Sequence, residues 1–385
     1  FRESSTSISS PKTIVPPHHP QYSDQNYPDG WKDIDPFESY RQLFNGDLTA
    51  SANPELIFTR GVNQNGEDIR AMVLHQVPRS LNGWNTHGVT LKHVDTYQMN
   101  DGSDFPTYNQ PDPRVNRPKG YTENDQDHLP LPAGVSLEYA DREPRFYASI
   151  AYNGSVWESE SAPIESGLRY KQVFYYRGSQ DGRLSSAPGF YIRTGLGIKK
   201  YYHPKDYFPN TGEFLGMPKA DPDIRYAEIL LIYSEALNEL TGSHSFASYD
   251  GTQTISVSRN TDDISNAIMQ IRMRGGIPNY TGEIYNNTDL LRKALKRERQ
   301  IELFAETHRY YDLRRWKDAA QEETMQVWGC NMNMTEQQKD LFHTPVIVPS
   351  LPTLFVDKMY LWPISHDELR KNKKLTQNPG WTYYD

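Results

Sequence analysis

The residues best placed to do chemistry lie in KRERQIELFAETHRYYDLRRW, Lys296 to Trp316, where Glu298 and Glu302 precede Arg309, Arg314 and Arg315. Read as function, either glutamate could serve as a catalytic acid. The surrounding pattern argues otherwise. Leu291, Ala294, Leu295, Ile301, Phe304, Ala305 and His308 share one helical face, and Glu298 falls inside it. A carboxylate there is expected to be buried, and a buried charge needs a partner, which Arg309, Arg314 and Arg315 could supply from just downstream. We therefore read these five residues as structural buttresses tying the helix to the following turn. The lysines and arginines from Arg292 to Lys317 would resemble a nucleic-acid patch if counted alone. With Glu298, Glu302, Glu306 and Asp312 between them, they read as a mixed, paired face.

Other chemistries leave no trace of the required spacing. His18 and His19 are adjacent, but no H-x-x-x-H or C-x-x-C occurs, so no metal is expected. There is no G-x-S-x-G elbow and no P-loop, and GLGIKK at 195–200 lacks the third glycine of a dinucleotide fingerprint, so neither a nucleophile nor a cofactor is expected. A pair of glycosidase carboxylates would not announce itself in sequence and stays open.

The elements that must carry these residues follow from composition and period. The chain has 385 residues, enough for one to three domains, with 36% hydrophobic residues, a mean hydropathy of −0.78, 25 glycines and 27 prolines. Aromatics reach 12%, more than a disordered chain would hold. The net charge of −8 disfavours nucleic acid as a partner. Cys330 is the sole cysteine, so no internal disulfide can form. No apolar run reaches the ~18 residues of a membrane span, and the chain opens at Phe1 without a signal-like segment, as if processing or truncation had removed the start.

Residues 1–36 read as an extended arm or loop, and Asp35-Pro36 as the start of a short helix ending near Gly46. From 55 to about 215, ELIFTRGV, AMVLHQV, RFYASIAY, QVFYYRG and GFYIRT read as short β-prone runs between long loops. In 224–240, Tyr226, Leu230, Tyr233, Leu237 and Leu240 form one helical stripe. A second helix is predicted over 261–274, capped by Thr261 or Asp262, and a third over about 288–308. These boundaries divide the chain into a loop-rich ligand-binding region with short strands (1–220), a helical scaffold (221–318) and a loop-rich closing segment (319–385).

Several segments together resemble the SusD/RagB family. RYAEILLIYSEALNE, Arg225 to Glu239, looks like its AE-x-x-L-x-x-AEA-x-NE helix. KRERQIELFAETHRYYDLRRW looks like its most specific signature, with Thr307 where the family usually has Gly, while Ser234 replaces the usual Ala of the first motif. VDTYQMNDG, DREPRFYASIAYNG and LWPISHDELRKNKKLTQNPGW also match, in the family's order. The resemblance implies a mainly α fold, a tetratricopeptide-like helical scaffold with large irregular loops and short strands. It also implies a non-catalytic, lipid-anchored protein of the outer-membrane cell surface that delivers oligosaccharide or polysaccharide, alternatively peptide, to a SusC-like TonB-dependent transporter. The anchor would precede Phe1, as would further scaffold helices. Were those helices missing from the molecule, a face of the 224–240 helix should stand without partners.

Such a binder needs reversible stacking on exposed aromatics, with polar side chains selecting hydroxyls. Asn82, Trp84, Asn85, Tyr108, Tyr121 and Trp157 are the ligand-binding candidates. Trp84 and Trp157 could equally be core. Trp84 is the sharper expectation, because RSLNGWNTHGVT has no apolar period to draw its indole inward. A glycoside hydrolase or lyase is the remaining alternative.

Overall fold

A computed structural model describes residues 14–61, 69–125, 127–209, 215–349, 351 and 353–382. Residues 1–13 of the 1–36 segment thus lie outside the described residues. From Ile14 the chain runs in turns, and Tyr22, Trp31 and Ile34 bury themselves with Met273, so this arm is part of the packing. Helix α1, Pro36–Asn45, starts where Asp35 accepts the Glu38 N–H and stops at Gly46, whose φ of +99° favours glycine.

Strand β1, Leu56–Arg60, is followed by helices α2, Ile69–Gln76, and α3, Leu91–Thr96. Helix α4, Pro144–Ser149, leads into β2, Ile150–Ala151, then β3, Val156–Trp157, β4, Lys171–Gln172, and β5, Gly197–Ile198. The pairs β2–β5 and β3–β4 are antiparallel and two residues long. Strand β6, Asp221–Arg225, pairs back on β1 and runs straight into α5, Tyr226–Glu239. The hairpin β7, His244–Ala247, and β8, Thr254–Val257, precedes α6, Thr261–Arg274, which Asn260 caps. Then come α7, Gly282–Asn286, α8, Thr288–Glu302, and α9, His308–Arg315, before a last pair, β9, Trp328–Gly329, with β10, Val346–Ile347.

Several expectations need correction, the first being the cap of α6, where Asn260 accepts the Asp262 and Asp263 N–H groups in place of Thr261 or Asp262. AMVLHQV lies in a helix, because Ile69, Val73 and Gln76 are buried at steps of four and three, a helical spacing. RFYASIAY is mostly α4, opened by Pro144 in the first turn, while QVFYYRG contributes one strand residue, Gln172, and GFYIRT none. Their aromatics serve an irregular core instead of a ladder. The third helix ends at Glu302 and a separate helix begins at His308, because Ala305 (φ +60°) and Thr307 (φ +71°) take left-handed conformations that a helix cannot continue through.

Among the described residues the two largest apolar clusters form the main cores. The larger unites Tyr40, Phe44, Val73, Tyr97, Phe146, Trp157, Tyr175 and Tyr202 across α1 to β5. The smaller gathers Leu231 of α5, Ile264, Ile268 and Ile271 of α6, and Leu291 and Leu295 of α8, in keeping with the packing of α5 on both neighbours. The buried face of α5 is Ala227, Leu230, Leu231, Ser234, Leu237 and Asn238. Tyr226 and Tyr233, assigned by period to the same stripe, instead stand outside with Ile229 and Ile232, each exposed. Among the described residues no helix is long and apolar enough to cross a membrane.

Candidate ligand-binding surface

Trp84 sits on the loop that follows α2, and this loop is clamped from both sides. On one side its backbone returns to α2, the N–H of Trp84 donating to Leu74 O and that of Asn85 to Val77 O, at 2.9 and 3.0 Å. Gly83 permits this approach, since a Cβ there would stand 2.1 Å from Val77 O. On the other side Asp181 Oδ1 accepts the Ser80 N–H, Asp181 O accepts Asn85 Nδ2, and Arg79 donates to Gly182 O. Asn82 Nδ2 adds a bond to Phe208 O at 2.7 Å. The loop is held so firmly that its indole, 54% exposed, needs no core of its own.

Two imidazoles back that indole. His75 of α2 meets Trp84 edge-on at 4.5 Å, and His87 stacks on His75 at 4.9 Å with 13° between planes. Burial, and then the neighbouring His75, hold His87 below the usual imidazole range, which favours a neutral ring against the aromatic surface. The 191–196 segment adjoins the loop, because a Cβ on Gly88 would stand 2.7 Å from Ile192 Cγ2 and Val89 N–H donates to Leu196 O. The same segment carries Tyr191 with Arg193 over its ring, and Phe190, 69% exposed, precedes them.

The other candidates are dispersed. Asn85 is buried and spends its amide on Asp181, and Asn82, at φ +65°, holds the turn; both shape the loop instead of facing a ligand. Trp157 is fully buried, edge-on to Tyr202 at 4.6 Å, so its candidacy falls: distant segments enclose it. Tyr108 lies beneath the Arg297 guanidinium at 3.7 Å, and Tyr121 donates to Asp340 at 2.8 Å under Lys339. Among the described residues no hydrogen bond or ring contact links Tyr108, Tyr121 or Trp157 to Trp84. His75 and Tyr191 were missed because AMVLHQV and GFYIRT were read as strands.

Glu298 and Glu302 are both fully buried. Their partners are not the downstream arginines. Arg145 bonds Glu298 at 2.6 Å and Glu302 at 3.0 Å, Arg272 bonds Glu298 at 2.8 Å, and Arg225 bonds Glu302 at 2.7 Å, with Arg274 on the same carboxylate. Burial pushes both carboxyls up, but the arginines outweigh it and hold them below the usual range. Sealed and ionised, they have no route to a substrate. Arg309 pairs instead with Glu322, Arg314 with Glu323, and Arg315 with Asp312 and Glu235, while α8 is tied to α9 by Arg299 on Asp312. Among the described residues no group of His, Cys, Asp or Glu could hold a metal ion.

This fold has counterparts. Similar solved structures include a SusD-like protein from Bacteroides fragilis, 24% identical, with a TM-score of 0.64 over 90% of this chain and 57% of that one. A SusD-like carbohydrate binding protein from the same species is 23% identical, with a TM-score of 0.59 over 88% of this chain and 57% of that one. BT4246 overlays at a TM-score of 0.70 and 20% identity, over 96% and 59%. The chain thus spans less than two-thirds of these relatives' length, and the likeness identifies a SusD-like helical fold. No curated protein matches. The model of the SusD family matches residues 54–381, which takes in the Trp84 loop, the α5 helix and the ion-paired α8–α9 signature, and the chain belongs to that family.

Proposed function

We propose that the protein is a non-catalytic binder that captures oligosaccharide or polysaccharide at the outer-membrane cell surface and hands it to a SusC-like TonB-dependent transporter. The observation that carries this reading is Trp84: a half-exposed indole, backed by His75 and presented by a loop clamped on two sides. A sugar ring offers an apolar C–H face to such a plane, and a preformed platform loses little entropy on binding. Family membership supports the reading, as does the name of the SusD-like carbohydrate binding protein that shares the fold. Because Glu298 and Glu302 are sealed, the best carboxylate pair in the sequence is spent on structure.

A calorimetric screen over polysaccharides and peptide mixtures, with product analysis on the same samples, tests this. Binding of a polysaccharide without new reducing ends is the expected result. Binding of peptides alone, or product formation that survives repurification, overturns it.

A further inference from the structure

Most arginines of this acidic chain are spoken for. Arg41, Arg117, Arg145, Arg225, Arg272, Arg274, Arg297 and Arg299 all lie on carboxylates. Beside the Trp84 loop the pattern changes. Arg193 and Arg183 both turn to the ring of Tyr191, their guanidinium carbons 4.5 and 5.9 Å from its centroid. Arg193 donates only a long bond to Gly189 O, at 3.4 Å, and Arg183 donates to the neutral Asn333 at 2.5 Å. Arg177 enters the same turn, which closes with the Gly178 N–H on Arg183 O at 3.1 Å, and is exposed. Among the described residues none of these three has a carboxylate partner. Asp181, two residues before Arg183, is buried and already accepts the Ser80 N–H.

Two like charges converging on one ring repel each other, and the ring's negative face offsets only part of that. An anion between them turns repulsion into attraction, and the guanidinium fork matches a carboxylate or a sulfate. We infer that the glycan captured here is anionic, with carboxylate or sulfate groups held by Arg183 and Arg193 while its ring faces lie on Trp84. This rests on the carbohydrate reading above and narrows its substrate class. The net charge of −8 repels polyanions in general, so any that binds must do so at a local cationic site.

Matched probes test the inference on the unmodified protein: polygalacturonate against its methyl ester, and dextran sulfate against dextran. The charged member of one pair should bind more tightly by about tenfold or more, and raising NaCl from about 0.05 to about 0.5 M should erase most of the difference. Which pair responds distinguishes carboxylate from sulfate. The double variant Arg183→Gln/Arg193→Gln should lose that preference, whereas Trp84→Ala should weaken charged and neutral forms alike. If the neutral partner binds as tightly, or the preference survives the double variant, the anionic assignment is wrong and carbohydrate binding stands. If neither member of either pair binds and the polysaccharide screen yields only neutral glycans, the anionic assignment is wrong; if that screen yields peptides alone, the carbohydrate reading falls and takes this inference with it.

Discussion

Trp84 and Trp157 look alike in sequence, each an isolated indole among polar residues, yet only Trp84 keeps its face in solvent. Truncating Trp84 to alanine should weaken glycan binding by about 1–3 kcal/mol, on the scale known for bases stacked on aromatics. Stability should move by no more than about 0.5 kcal/mol, since the indole fills no core. Unchanged calorimetric affinity for the glycan found in the screen would remove Trp84 from the site. Glu298 behaves in the opposite sense. Its oxygens take bonds from Arg145, Arg272 and the Tyr280 hydroxyl, so Glu298→Ala leaves two buried cations short of a partner. Chemical denaturation should show a loss of about 3–5 kcal/mol, with glycan affinity of the folded fraction intact. A variant of normal stability that no longer binds would place Glu298 at the site instead.

The connection between α8 and α9 decides how the signature segment folds. It turns through two non-glycine residues at positive φ, and Thr307 at +71° is β-branched, the poorest fit to that conformation. The family's usual glycine at this place now has a physical reason. Thr307→Gly should relieve strain of about 1 kcal/mol, offset in part by the freer unfolded chain, and so raise the melting temperature. A lower melting temperature would mean that contacts of the threonine outweigh its backbone cost. At the same scale, α5 shows how a stripe read by period can be rotated. Leu230 and Leu237 face α6 and α8 as assigned, but Tyr226 and Tyr233 belong to the outer face.

Across the whole molecule, ionised carboxylates tie sequence-distant segments together. Glu138 is enclosed by Arg117 and His343; burial pushes its carboxyl up, but the two partners bring it down to about 2. Glu298, Glu302 and Glu306 are held low in the same way. The unfolded chain takes up protons near pH 4.5, the ordinary glutamate value, while the folded chain resists them. Stability from these groups is therefore complete above about pH 4.5 and drains away as pH falls toward 2. Melting temperatures followed from pH 6 down to about 2.5 should drop steeply below about 4.5, and Glu138→Gln should reduce the drop. A flat profile over that range would show that the pairs add no net stability.

Local chemistry is what the amino-acid order determined unaided. Asp35 and Pro36 start α1 and Gly46 ends it, α6 spans the predicted 261–274, and Glu298 lies on an apolar stripe that buries it. Each depends on neighbours within a turn or two, and the ordered motifs that mark the SusD family are likewise local strings. Long-range closure decided the rest. The Arg145 that meets Glu298 comes from 153 residues away, and no spacing rule reaches that far. The same holds for the aromatics: whether an indole is platform or core depends on which remote segments fold over it. Trp157 is enclosed with Tyr202, whereas the loop carrying Trp84 is pinned at its edges by Asp181 and Phe208 with its face left open. Burial is a sum over contacts between segments that only the folded chain brings together.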